Sequence, residues 1–251
     1  LNHHRNSATL IVNHNADYSG FDMALTKQIA QIYRYDASKG KYVRVYDSEV
    51  KEDTDTNHNN DKSENIVYGT REYYIHPSDM SEDKGVTTAT YALNKQPITV
   101  EPGDIVRYKI TVYNEGSVDG FVGEITDYLP AGLEFVTDSK INKENNWVAT
   151  SNNDGTTTVK TDKLKDTTIK PANGENGLLE YVKQEKKSEA PEFSAYVEIE
   201  CKVKANMQDS KLLVNVAEIT NYGYNNKNGD YVEANKENVD IDSEENNVFN
   251  K

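Results

Sequence analysis

A lysine set among apolar residues at alternating positions is a chemical signal. Residues 21–29 read FDMALTKQI, which puts Phe21, Met23, Leu25, Lys27 and Ile29 on one face of a strand and Asp22, Ala24, Thr26 and Gln28 on the other. Lysine is almost never fully buried unless it is paired, so Lys27 on an apolar face requires a partner. Asn215 is in phase with Leu213, Ala217 and Ile219, and Asp127 follows Ile125 by two residues. Period-2 geometry therefore sends an amine, a carboxyl and a carboxamide toward one interior. Such a set is equipped for one reaction. Burial leaves the lysine a neutral nucleophile and keeps a carboxyl protonated, able to donate to the amide carbonyl and shuttle protons. Attack of the Lys27 amine on the Asn215 amide carbon expels ammonia and leaves an isopeptide bond. Glu218, Glu124 and Asp104 are alternative acids. Two plainer arrangements satisfy the same pattern: a buried Lys–Asp pair capped by Asn215 with no bond formed, and a lysine that snorkels at a sheet edge.

Other candidate chemistry is weaker. Asp240, Asp242, Glu244 and Glu245 lie close together near the C-terminal end. Hard oxygen ligands suit calcium, and Asp240, Asp242 and Glu244 are the candidate metal ligands. The spacing lacks the glycine of an EF-hand loop, so a solvated acidic tail is the plainer expectation, and no cofactor is otherwise implied. The histidines (His3, His4, His14, His58 and His76) fall in polar segments without metal-ligand spacing. No nucleophile elbow or phosphate-binding glycine loop occurs, so an enzyme that turns over is not expected. Cys201 alternates with Val197, Ile199 and Val203 and reads as a core residue. Trp147 and the tyrosines are candidate contacts for a carbohydrate or a protein.

The elements that must position these groups read as strands. Residues 29–47 continue from the first strand as a hairpin turning at Ser38, Lys39 and Gly40. Segments 66–75 and 86–93 are further strands, on either side of polar sequence. The run EPGDIVRYKITVYNEG from Glu101 alternates strictly, with Val106, Tyr108, Ile110 and Val112 facing one way. Shorter strands follow at 121–127, 133–136, 147–150 and 156–160, then stronger ones at 195–204 and 211–220. Many short strands with turn residues between them, and no long segment of helical period, predict an all-β sandwich. Residues 48–64 are acidic and Asn-rich and are expected to form a long surface loop inserted in the fold.

Composition narrows the function. The 251 residues carry 42 acidic against 28 basic side chains, a net charge of −14, which opposes binding to nucleic acid or to an anionic membrane surface. The 17 tyrosines against 5 phenylalanines and 1 tryptophan suit half-buried strands with wet hydroxyls. The single cysteine excludes an internal disulfide, so robustness outside the cell would need another source or simply a sufficient core. No run approaches the ~18 apolar residues of a membrane span, and no direct membrane insertion is expected. The first residues lack the pattern of a signal peptide, and no sorting signal is found, so the expectation is a mature fragment whose attachment lies outside it or is non-covalent.

The stretch EPGDIVRYKITVYNEGSVDGFVGEITDYLPAGLEF resembles the conserved-repeat, DUF11-like β-sandwich modules of bacterial surface proteins, and is most similar to those of clostridial type. FDMALTKQI matches their opening strand, EIECKVKA their Cys-containing strand, LLVNVAEIT their Leu-x-Asn-x-Ala strand and VDIDSEENNV their closing segment. The resemblance runs from Phe21 to Val248 and is least clear over 30–95. It implies an immunoglobulin-like Greek-key sandwich over 21–249, preceded by an arm at 1–20 that could donate a strand to a neighbour. It further implies an extracellular stalk, pilus or fibre subunit with neighbouring modules as partners, tied between first and last strands by Lys27 and Asn215 with Asp127 assisting. The alternative is an adhesin that grips a host protein or glycan through loops at one end of the sandwich.

Overall fold

The computed structural model is described over residues 23–48, 66–74, 86–94, 98–114, 119–170, 194–207, 212–225 and 228–233. Nearly all regular structure in them is strand. The first is β1 (Met23–Asp36), which turns into β2 (Lys41–Asp47). The turn falls where the sequence predicts it. Asp36 Oδ1 accepts from the Ser38 amide at 2.9 Å, and Gly40 adopts the left-handed φ of 63° that a side chain would resist. β3 (Ile66–Tyr74) and β4 (Val86–Asn94) pair with each other as a separate two-stranded sheet.

The remaining strands are β5 (Ile105–Asn114), β6 (Gly120–Leu129), β7 (Leu133–Phe135), β8 (Val148–Ser151), β9 (Thr157–Thr161), β10 (Ser194–Val203), β11 (Val216–Asn225) and β12 (Tyr231–Glu233). They form two antiparallel sheets, ordered β2-β1-β5-β10-β7 and β12-β11-β6-β9-β8. The pairings β1–β5–β10–β7 in one sheet and β12–β11–β6 in the other are those of an immunoglobulin-like Greek key. The sheets enclose one core. Leu25, Ile110, Val197 and Ile199 on one side and Ile125, Leu129, Val159 and Ala217 on the other are all at most 1% exposed. Burying such side chains contributes about 1.5–3 kcal/mol each.

Alternation is strict in β5, where every even residue from Val106 to Asn114 is buried. In β1 it holds only in part. The register against β5 shifts between Ile29 and Gln31, and the Ala30 carbonyl bonds the Ser48 amide instead. The extra residue reverses the parity, so that even-numbered Ile32, and no longer the odd positions, faces the core beside Val106. Lys27 lies before this bulge and keeps the predicted phase.

Two departures from the sequence reading concern other elements. Residues 212–215 belong to no strand. β11 begins at Val216 and runs on to Asn225, past the predicted end at 220, and β12 follows beyond it. A short helix, α1 (Lys140–Glu144), also appears, capped by Ser139, whose Oγ accepts from the Asn142 amide. Helix α1 and the residues after it cover the edge of β10 that the three-residue β7 leaves open. Asn142 donates to the Glu200 carbonyl at 2.8 Å and accepts from the Glu200 amide at 2.7 Å. Asn145 accepts from the Glu198 amide, and Trp147 Nε1 donates to the Glu198 carbonyl at 2.7 Å. Side chains thus stand in for a missing strand, which blunts the edge against pairing with another chain. Trp147 is buried in this role, which removes it as a surface contact for a ligand.

Candidate functional site

Lys27 and Asp127 come from opposite sheets. Lys27 of β1 pairs in register with Ile110 of β5, which in turn pairs with Val197 of β10. Asp127 sits in the middle of the other sheet, between Ala217 of β11 and Val159 of β9. The small side chain of Ala217 leaves room there, and the lysine stem crosses the gap between sheets. Lys27 Nζ reaches Asp127 Oδ2 at 2.6 Å, with the lysine side chain 9% exposed and the aspartate 0%.

Asn215 joins them from the segment that leads into β11. Leu212 and Val214 are 65% and 60% exposed, so Leu213 and Asn215 between them face inward, in phase with Ala217 and Ile219. Leu213 is seated on Gly132, where a Cβ would lie 2.5 Å from its Cδ2 and from Met207 Sδ. The bare glycine in the Pro-Ala-Gly turn thereby fixes how close this segment approaches the core. Both Oδ1 and Nδ2 of Asn215 are buried without a hydrogen-bond partner, as is Asp127 Oδ1. Among the described residues five buried side-chain atoms are left this way, and three of them belong to this one cluster. Buried polar groups are otherwise almost always satisfied, so the concentration sets this cluster apart from the rest of the core.

The electrostatics favour neutral partners. Burial lowers the proton affinity of Lys27, and the Asp127 carboxylate opposes that without reversing it. Burial likewise pushes the Asp127 carboxyl above its usual range against the pull of Lys27. An amine facing a carboxylic acid is the state that both shifts favour. The Asn215 carboxamide is close enough to influence both Asp127 and the Tyr108 phenol, although it makes no hydrogen bond of good geometry with either. Tyr108 packs its ring against the amine, with Lys27 Nζ 4.7 Å from the ring centroid.

The alternative acids lie elsewhere. Glu218 accepts from the Tyr128 hydroxyl on the outer face, and Glu124 pairs with Lys160 at 2.8 Å. Asp104 is buried but forms a two-pronged bond to Arg34, at 2.9 and 2.8 Å, and accepts from the Glu101 amide. Cys201 is fully buried, and burial raises its thiol, which keeps it protonated. The metal candidates Asp240, Asp242 and Glu244, the histidines, the arm at 1–20 and the loop at 49–64 lie outside the described residues. Tyr108 is the member of the cluster that sequence reasoning placed in the core without assigning it a part. Its signal was present: it is the one polar-tipped side chain on the inward face Val106, Tyr108, Ile110, Val112.

No family model matches the chain, and no curated protein matches it. Among solved structures the chain is similar to the crystal structure of BcpA, the major pilin subunit of Bacillus cereus. That alignment covers 85% of this chain and 67% of the pilin, with 12% sequence identity and a TM-score of 0.28.

Proposed function

We propose that this chain is a structural module of an extracellular surface assembly, a stalk, pilus or fibre subunit whose sandwich is tied by an amide bond between Lys27 and Asn215. The observation that carries the reading is the triad itself: an amine on an acid at 2.6 Å across the core, beside a carboxamide with no hydrogen bond of its own. The reaction balances without a co-reactant. Lys27 Nζ bonds to Asn215 Cγ, the Cγ–Nδ2 bond breaks, and the nitrogen leaves as ammonia with a proton taken from the lysine through Asp127. The product replaces a buried amine and an orphaned carboxamide with one neutral amide.

The placement of the bond supports a load-bearing role. Lys27 is near the start of β1 and Asn215 is at the entry to β11, in opposite sheets. Tension applied through the chain ends would then pass through a covalent tie and not through strand hydrogen bonds. A chain with one cysteine has no internal disulfide to do this. The motif resemblance to bacterial surface modules agrees with the same reading.

Intact-protein mass spectrometry tests it. The expected mass is that of the sequence less one ammonia, with a fragment joining the peptides of Lys27 and Asn215 after digestion. A mass equal to the full sequence removes the cross-link and, with it, the ground for a load-bearing module.

A further inference from the structure

Tyr108 lies where the reaction would need a second proton donor. β5 runs between β1 and β10, and Tyr108 is opposite Ile29 on one side and Ile199 on the other. Lys27 is opposite Ile110, one inward step along the same strand, so the tyrosine ring flanks the lysine stem. The ring is 8% exposed and lies 4.7 Å from the amine nitrogen. Its phenol interacts with the Asn215 carboxamide, which also interacts with Asp127. Both acids therefore lie within reach of the carboxamide, yet neither of its polar atoms is hydrogen-bonded in the unreacted state. That combination has a physical meaning. Donors complementary to a transition state are aimed at the position the oxyanion will occupy, and need not satisfy the planar amide that precedes it.

We propose that Tyr108 is a functional member of this site: its ring holds the Lys27 amine in place, and its hydroxyl donates to the Asn215 oxygen as that oxygen takes up negative charge. The assignment rests on the isopeptide reading above and adds a residue to it. Asp127 carries the proton from the attacking nitrogen to the leaving one, whereas Tyr108 keeps its proton throughout and only stabilises the intermediate. The titratable groups facing it are Lys27 from β1, Asp127 from β6 and Cys201 from β10. Burial pushes the phenol upward, which favours the protonated form that can donate. The Lys27–Asp127 pair must hold a single proton to react. The rate should therefore fall in acid, where both groups are protonated, and in alkali, where neither is.

The test follows bond formation in time. The full 251-residue chain is synthesised cell-free, held in denaturant, and diluted into buffer at a series of pH values. Ammonia loss is read by intact mass, and folding by circular dichroism. Tyr108→Phe keeps the ring and should slow ammonia loss by about 100-fold, evenly across the pH profile, with the folded spectrum unchanged. An equal rate in Tyr108→Phe overturns the assignment and leaves the cross-link standing. A shift of the pH profile without a uniform slowing also overturns it, because Tyr108 would then act through the titrating pair. If Tyr108→Phe does not fold, a fluorinated tyrosine at the same position keeps both shape and hydroxyl. Its more acidic phenol should speed the reaction, and an unchanged rate overturns the proposal. A parent chain that never loses ammonia removes the isopeptide reading and the role of Tyr108 together.

Discussion

Two buried polar clusters in this molecule solve the same problem in opposite ways. At the edge of β10, Asn142 uses both amide hydrogens, on the Val136 and Glu200 carbonyls, and its oxygen accepts from the Glu200 amide. Asn145 and Trp147 complete the set on Glu198, so the backbone groups that β7 leaves open are satisfied. In the core, Asn215 has both polar atoms buried with no partner, and Asp127 is satisfied on one oxygen only. Both sites place asparagine in an apolar setting. The first is fully paired and acts as structure. The second leaves a buried group unsatisfied, which costs about 1–3 kcal/mol per group unless chemistry removes it. The two asparagines thus differ in how their amides are paired, which is what the proposed reaction turns on.

The largest test of the contrast is Lys27→Met combined with Asp127→Leu. Removing a buried ion pair as a unit is often neutral or stabilising by about 1–4 kcal/mol. Removing a covalent tie between distant residues should instead cost about 5 kcal/mol, by analogy with a disulfide closing a long loop. The two readings predict opposite signs, and the guanidinium unfolding midpoint separates them. A midpoint at or above the parent's would place the core cluster in the same structural class as the β10 edge.

Asn142→Ala should act the other way round, on stability and association but not on ammonia loss. It leaves the Glu200 amide without its partner, while the Val136 and Glu200 carbonyls keep the Ser139 and Val136 amides, and is expected to cost about 2 kcal/mol. It also exposes the β10 edge, so light scattering should show association that grows with protein concentration. A variant that loses stability yet also fails to release ammonia would mean that the two clusters are coupled. The smallest effect is expected for Trp147→Phe, which keeps the buried ring but loses the bond to the Glu198 carbonyl. It should cost about 1 kcal/mol by thermal melting. A larger loss would show that the edge cover depends on the indole as much as on the two asparagines.

Much of this was legible in the chain. Alternation fixed the strands, the hairpin at Gly40, the inward face of β5 and the phase of Lys27, Asp127 and Asn215, because side-chain direction in a strand is a local property with a period of two. The same logic could not see the bulge at Ala30, since an extra residue depends on which backbone groups the neighbouring segment offers. It could not choose Asp127 over Asp104, since both are in phase with core residues, Ile125 and Val106, and parity gives a face and not a position along it. Helix α1 was invisible for a related reason: five residues carry too little period to register, and what holds them is the open edge of β10. The sequence by itself determined that an amine, an acid and a carboxamide would be pressed into one apolar interior. Only the tertiary structure decided that they meet, that the amide stays unpaired and that Tyr108 stands beside them, because those facts are distances between strands that the chain order does not contain.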